Sequence, residues 1–201
     1  MIRTFKTHEV RMQEELTESL WEFEPCEGDY AGIKFQMATP GCFETNSLFA
    51  NYRGEAYFRK KITAGGNIRI ECKGVSHTAT VLLDGEQIAQ HYNAYTPFSV
   101  IKKDLTEGTH LLEIKVDNRF TEKSALHIPN DYMSYGGVSR PVVLEKIGAL
   151  YFEYVHVKTY HKNGKWTAGV KVAVHILDQK RLIGENVVIS LQIGEVIYDW
   201  Q

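Results

Sequence analysis

Thr80-Val81-Leu82-Leu83-Asp84-Gly85-Glu86 decides the fold class. A β-branched and apolar run meets Asp-Gly, a pair that tolerates the positive φ of a type I′ turn, so the segment reads as strand, tight turn and returning strand. The same pattern continues outward in both directions. Ile68, Ile70 and Cys72 alternate with Arg69 and Glu71, and Leu112, Ile114 and Val116 alternate with Glu113 and Lys115. Val170, Val172, Val174 and Ile176 form a third series, and Val187, Ile189, Leu191 and Ile193 a fourth. A period of two places alternate side chains on one face, as in half-buried strands. Tyr57 to Ile62 is a further strand candidate, and Asn163-Gly164 is a second hairpin signal. Ala64-Gly65-Gly66-Asn67 and Glu107-Gly108-Thr109 also read as turns. Thr7 to Leu20 has room for one short helical turn, but no longer segment keeps a 3.6-residue period. Many short strands joined by Gly-rich turns predict an all-β sandwich or jelly roll.

Composition narrows the class. The chain has 201 residues, 43% hydrophobic and 24% charged, with a formal net charge of −2. These values suit a globular protein with a real core. Lys and Arg are scattered, so no basic stripe predicts a nucleic-acid partner. No apolar run approaches the roughly 18 residues of a membrane span. The opening residues Met1 to His8 lack the apolar core of a secretory signal, so a cytoplasmic location is expected. Cys26, Cys42 and Cys72 are unpatterned and odd in number, which argues against a disulfide framework and a zinc site. No His spacing suits a transition metal, and no cofactor is expected.

A boundary is expected at Ile147-Gly148-Ala149, giving a domain over 1–147 and a second segment over 148–201. The 54 residues of that segment hold three or four strands. An immunoglobulin-like sandwich needs about 100 residues and ~7 strands. The expectation is therefore an incomplete immunoglobulin-like domain, with open edge strands that could pair with a second copy. Trp21 and Trp166 read as core anchors, and His77 as a half-buried, hydrogen-bonded strand residue. Arg59-Lys60-Lys61 and Lys102-Lys103 read as solvated strand faces.

One region breaks the alternation. Residues 118–140, from Asn118 to Arg140, form a long interstrand stretch rich in aromatic, amide and carboxylate groups. Long loops in compact β domains usually carry function. Asp, Asn and His bond sugar hydroxyls, and aromatic faces pack on the C–H side of a sugar ring. The composition thus points to a carbohydrate ligand.

Within that region, Asp131-Tyr132-Met133-Ser134-Tyr135-Gly136-Gly137-Val138-Ser139-Arg140, with the apolar strand after it, resembles a segment of family 2 glycoside hydrolases. Gly74 to Gly85 is similar to that family's strand and hairpin, and His91-Tyr92-Asn93-Ala94-Tyr95-Thr96-Pro97-Phe98 to its next turn and strand. Leu20-Trp21-Glu22-Phe23, Pro40-Gly41-Cys42-Phe43 and Tyr52 to Tyr57 match earlier pieces in order, with Phe43 where the family usually has Trp. The resemblance runs from residue 16 to about 160. The Tyr-Thr-Pro-Phe and Asn51-Tyr52-Arg53-Gly54 pieces lean toward β-glucuronidases over β-galactosidases.

The resemblance implies a galactose-binding-like jelly roll followed by part of an immunoglobulin-like sandwich. It implies the non-catalytic front of a retaining β-glycosidase, β-galactosidase or β-glucuronidase, whose catalytic carboxylates lie on a barrel domain in cis. A β-linked sugar substrate and a homo-oligomer are the expected partners, with no nucleic acid or membrane. By the same resemblance Asp131 reaches the substrate, against the plainer reading of a turn cap. Tyr132 and His127 are further substrate-binding candidates, and Tyr135 reads as sugar-facing or core. Gly136 and Gly137 are expected to permit a bulge or positive φ, and Arg140 to make a bidentate ion pair. No catalytic residue is expected in this chain. A free-standing carbohydrate-binding module and a domain that dimerises through open strands are the alternatives.

Overall fold

A computed structural model describes residues 12–119, 135–185, 187–193 and 195–200. The chain divides into two compact units, Met1–Lys146 and Ile147–Gln201. Among the described residues there are fourteen strands, three short 3₁₀ turns and no α-helix, so the protein is all-β.

The first unit holds β1 (Met12–Glu15), β2 (Ser19–Pro25), β3 (Phe35–Thr39), β4 (Gly41–Cys42), β5 (Glu55–Cys72), β6 (Thr78–Leu83), β7 (Glu86–Tyr92), β8 (Phe98–Asp117), β9 (Gly137–Val138) and β10 (Val142–Ile147). Its main sheet runs β1-β10-β5-β8-β6-β7, with β2 also on β5 and β3 on β2. Two strands of 18 and 20 residues, β5 and β8, form its spine. Glu55 to Ala64 of β5 pair with Gly108 to Asp117 of β8, and Gly66 to Cys72 pair with Phe98 to Leu105. The register shifts twice between these blocks, at Gly66.

Ala64–Asn67 and Glu107–Thr109, expected as turns, are therefore bulges inside continuous strands. Gly66 has φ +70°, and a Cβ on Gly65 would meet the Glu107 side chain at 2.2 Å. Bulges kink a strand and increase its twist. Here they divide the long β5–β8 ladder into two blocks, within a unit of the jelly-roll class. Thr7 to Leu20 is not helical where it is described, because β1 and β2 occupy it.

The core follows the period of two. Along β6 the burial alternates without exception, with Ala79, Val81 and Leu83 inside. Phe23, fully buried, has the rings of Phe43, Phe49 and Phe58 at 5.4, 4.9 and 5.2 Å. Tilted and edge-on pairs at this spacing add stability beyond the area they bury. Trp21 is a core anchor, and its Nε1–H donates to the Leu16 carbonyl at 3.0 Å. Arg59 is more than a solvated charge. It lies half-buried across the sheet, donating to Glu24 at 2.8 Å and Glu113 at 2.7 Å and stacking over Tyr57.

The second unit contains β11 (Leu150–Lys162), β12 (Lys165–Ile176), β13 (Ile189–Ile193) and β14 (Val196–Trp200). They form two antiparallel hairpins, and Asn163-Gly164 turns the first with φ of 52° and 74°. This matches the expected opening of an immunoglobulin-like sandwich. Trp166, expected in the core, is 73% exposed and packs against the His161 ring at 4.8 Å. On the same face of β12, Val170 and Val172 share a cavity with Ile189 and Leu191 of β13, but that cover does not extend to Trp166.

Candidate functional site

The stretch expected as a long loop is described only at its two ends, Asp117-Asn118-Arg119 and Tyr135-Gly136-Gly137. Asp131, Tyr132 and His127 lie outside the described residues. The two roots are described, and they show how the fold fixes the loop's ends.

Asn118 continues the inward alternation of Leu112, Ile114 and Val116 and is fully buried. Its Oδ1 accepts from the Gly54 N–H, and its Nδ2 donates to the Tyr52 carbonyl, both at 2.9 Å. Both main-chain partners come from the entry to β5, so one amide side chain ties the loop's departure to a neighbouring strand. The next residue turns outward. Arg119 grips the Asp117 carboxylate through Nε at 2.9 Å and Nη2 at 2.8 Å, and reaches Glu27 with Nη1 at 3.1 Å. Burial of Asp117 works to raise its pKa, but the Arg119 guanidinium outweighs this and holds it below the ordinary carboxylate value. The same bond raises the pKa of Arg119.

The return root is packed against the departure root. A Cβ on Gly136 would lie 2.5 Å from the Asn118 Cβ, so only glycine lets the two stalks touch. The Gly136 N–H donates to both carboxylate oxygens of Glu44 at 3.2 Å, and Arg53 donates to the same carboxylate at 2.9 Å. The Glu44 side chain is 5% exposed. Bonds to a buried charge are among the stronger ones, and a buried N–H left without its acceptor costs about 1–3 kcal/mol. Gly137 then pairs on two sides. It opposes Cys42 in the β4–β9 bridge and exchanges main-chain bonds with Ser76 at 2.9 and 3.1 Å.

Of the Gly136-Gly137 pair, Gly137 has a positive φ of +136° and Gly136 does not. Arg140 differs from expectation. Among the described residues its guanidinium donates to the Tyr95 carbonyl at 3.0 Å and makes no ion pair, while its stem covers Gly74. Tyr135 is 53% exposed, so its ring is outside the core.

His77 follows a cis Ser76–His77 peptide and is 1% exposed, more buried than expected. Burial depresses its pKa, and a hydrogen bond that the ring donates to the Asn118 main chain only partly opposes this, so the ring is neutral at pH 7. The thiols of Cys26, Cys42 and Cys72 are free, and burial raises the pKa of each, that of Cys72 to about 12. Among the described residues no three His, Cys, Asp or Glu side chains group to hold a metal ion.

Sequence reasoning missed Asn118 and Glu44. The first had a signal, since an amide at the next inward position after three apolar ones needs buried partners. The second had none, because its partner Gly136 is 92 residues away.

Residues 46–150, half of the chain, match the family described as glycosyl hydrolase 2 galactose-binding domain-like. The chain belongs to the glycosyl hydrolase 2 family. Over 88% of its length this family 2 chain superposes with a TM-score of 0.83 and 46% identity on a family 2 β-galacturonidase from Eisenbergiella tayi, solved bound to galacturonate. It also resembles a β-D-glucuronidase of Dictyoglomus thermophilum (TM-score 0.71, 21% identity, 84% of this chain) and a β-glucuronidase of an uncultured Clostridium (0.72, 18%, 84%). At those identities the likeness is one of fold. The family 2 chain spans 32% of the galacturonidase and 34% of each glucuronidase. It is homologous to the N-terminal region of the family 2 β-galacturonidase.

Proposed function

We propose that this chain is the non-catalytic N-terminal part of a retaining β-glycosidase that acts on β-linked hexuronides, with β-galacturonides as the preferred class. The observation that carries this reading is the 46% identity, over 88% of the chain, to a β-galacturonidase that holds galacturonate. Retaining hydrolysis needs a nucleophilic carboxylate and an acid/base carboxylate about 5–5.5 Å apart. In this reading both lie on a barrel outside the chain. The jelly roll braces that barrel in a homo-oligomer and contributes the loop of Asp131, Tyr132 and His127 as one wall of the sugar pocket. Joined roots serve this role, because a substrate-holding group works only when its geometry is fixed beforehand. A reducing, cytoplasmic setting suits the three free thiols.

One wall of a pocket cannot bury a sugar. The purified 201-residue chain is therefore expected to release no nitrophenol above blank from p-nitrophenyl β-D-galacturonide, β-D-glucuronide or β-D-galactoside. It is also expected to give no saturable calorimetric isotherm with millimolar galacturonate. A saturable isotherm would replace this reading with that of a free-standing binding module, and turnover would place the catalytic groups within the chain.

A further inference from the structure

Away from the loop roots, one histidine is surrounded so that both ring nitrogens face acceptors. His110 lies on β8 opposite Ile62 of β5. Its Nδ1 is 2.6 Å from Asp84 Oδ2, and its Nε2 is 2.8 Å from the Thr106 carbonyl oxygen. Neither a carboxylate nor a carbonyl can donate, and a neutral imidazole carries one N–H. A neutral ring would therefore hold one of these contacts lone pair to lone pair. The imidazolium satisfies both.

The arrangement joins two parts of the fold. Asp84 is the first turn residue of the β6–β7 hairpin, at φ 50°, and its Oδ1 accepts the Leu111 N–H at 2.8 Å. Thr106 belongs to the stretch of β8 that faces the bulge of β5. The His110 side chain is 10% exposed and that of Asp84 50%. The other charges nearby are Lys102 of β8, which attracts Asp84, and Glu86 of the hairpin, which Lys102 binds at 2.7 Å. From β5 come Ile62 and the Ala64 main chain, neither of them charged.

We infer that His110 is a proton-operated fastener, tightening the hold of the β6–β7 turn on β8 as an imidazolium and loosening it when the proton is lost. The Asp84 carboxylate first, and then the Thr106 carbonyl, raise the His110 pKa above its ordinary 6.5. His110 first, and then the Leu111 N–H, lower that of Asp84 below its ordinary 3.8. A histidine whose pKa is raised by folding stabilises fully below its unfolded value and loses that contribution as pH climbs through the folded one. An aspartate whose pKa is lowered stabilises above its unfolded value and loses that as pH falls through the folded one. The fastener is thus fully engaged between about pH 3.8 and 6.5 and weakens toward alkaline pH, where the Asp84–Leu111 bonds alone remain. This inference is independent of the uronidase reading.

Long-range ¹H–¹⁵N spectra of the ¹⁵N-histidine-labelled chain test it. At pH 6.5 both nitrogens of His110 are expected to be protonated, with a titration midpoint above 6.5. Asp84→Asn keeps an oxygen for the Leu111 N–H and is expected to move that midpoint down toward the ordinary value. Amides of the 84–87 turn are expected to exchange several-fold faster above the midpoint than intrinsic base catalysis accounts for, and this excess should vanish in Asp84→Asn. A single neutral tautomer at pH 6.5 would overturn the inference. So would a midpoint that Asp84→Asn leaves in place, or turn exchange that follows the intrinsic rate throughout.

Discussion

Gly137→Ala is expected to destabilise the first unit by roughly 2–6 kcal/mol, combining a strained φ with overpacking between fixed backbones. At φ +136° an L side chain is strained, and its Cβ would lie 2.5 Å from the Gly41 carbonyl oxygen and 3.0 Å from the Cys42 Cα. Both obstacles are main chain, and the bonds to Ser76 and Cys42 keep Gly137 from moving away. Domains are commonly stable by only about 5–15 kcal/mol, so the effect is a large share of the total. Urea unfolding followed by tryptophan fluorescence measures it. Gly85, at φ +79° with nothing within 4 Å of a built Cβ, is the control for φ alone, at about 1–2 kcal/mol. Equal losses at the two positions would mean that the Gly41–Cys42 contact adds nothing.

Phe23→Ala is expected to cost about 3–5 kcal/mol, the usual range for removing a buried ring from a packed core. Phe23 is fully buried and touches three other aromatic rings drawn from separate parts of the chain. No single neighbour can move in to fill the space. The denaturation midpoint should fall with little change in slope. Leu20→Ala, on the same strand but 62% exposed, should stay within about 0.5 kcal/mol of wild type. A Phe23 loss of that small size would show that the aromatic cluster does not organise the core.

The two hairpins at Asp84-Gly85 and Asn163-Gly164 were legible because their cause is local: two residues that accept positive φ between alternating runs. The glycines at 64–67 and 107–109 carry the same local signal but have another outcome. Their fate depends on β5 pairing with β8 across 34 to 44 residues, which turns would-be loops into bulges of continuous strands. Trp166 shows the limit of pattern reading from the other side. Alternation marks a face but does not supply the layer that would cover it. At the candidate site, the glycine pair and the stretch from Asn118 to Arg140 stood out as departures from period two. The partners that fix the loop's roots, Glu44 and Arg53, come from a distant segment and become visible only once β4 and β9 pair.

The most direct test of the central claim is the Asp131→Ala substitution in the barrel-bearing protein, read as kcat/KM on p-nitrophenyl β-D-galacturonide. A hydrogen bond between a carboxylate and a substrate hydroxyl is worth roughly 1.5–3 kcal/mol, so a fall of about 10- to 150-fold with unchanged thermal stability is expected. An unchanged kcat/KM in a fully folded variant would contradict it.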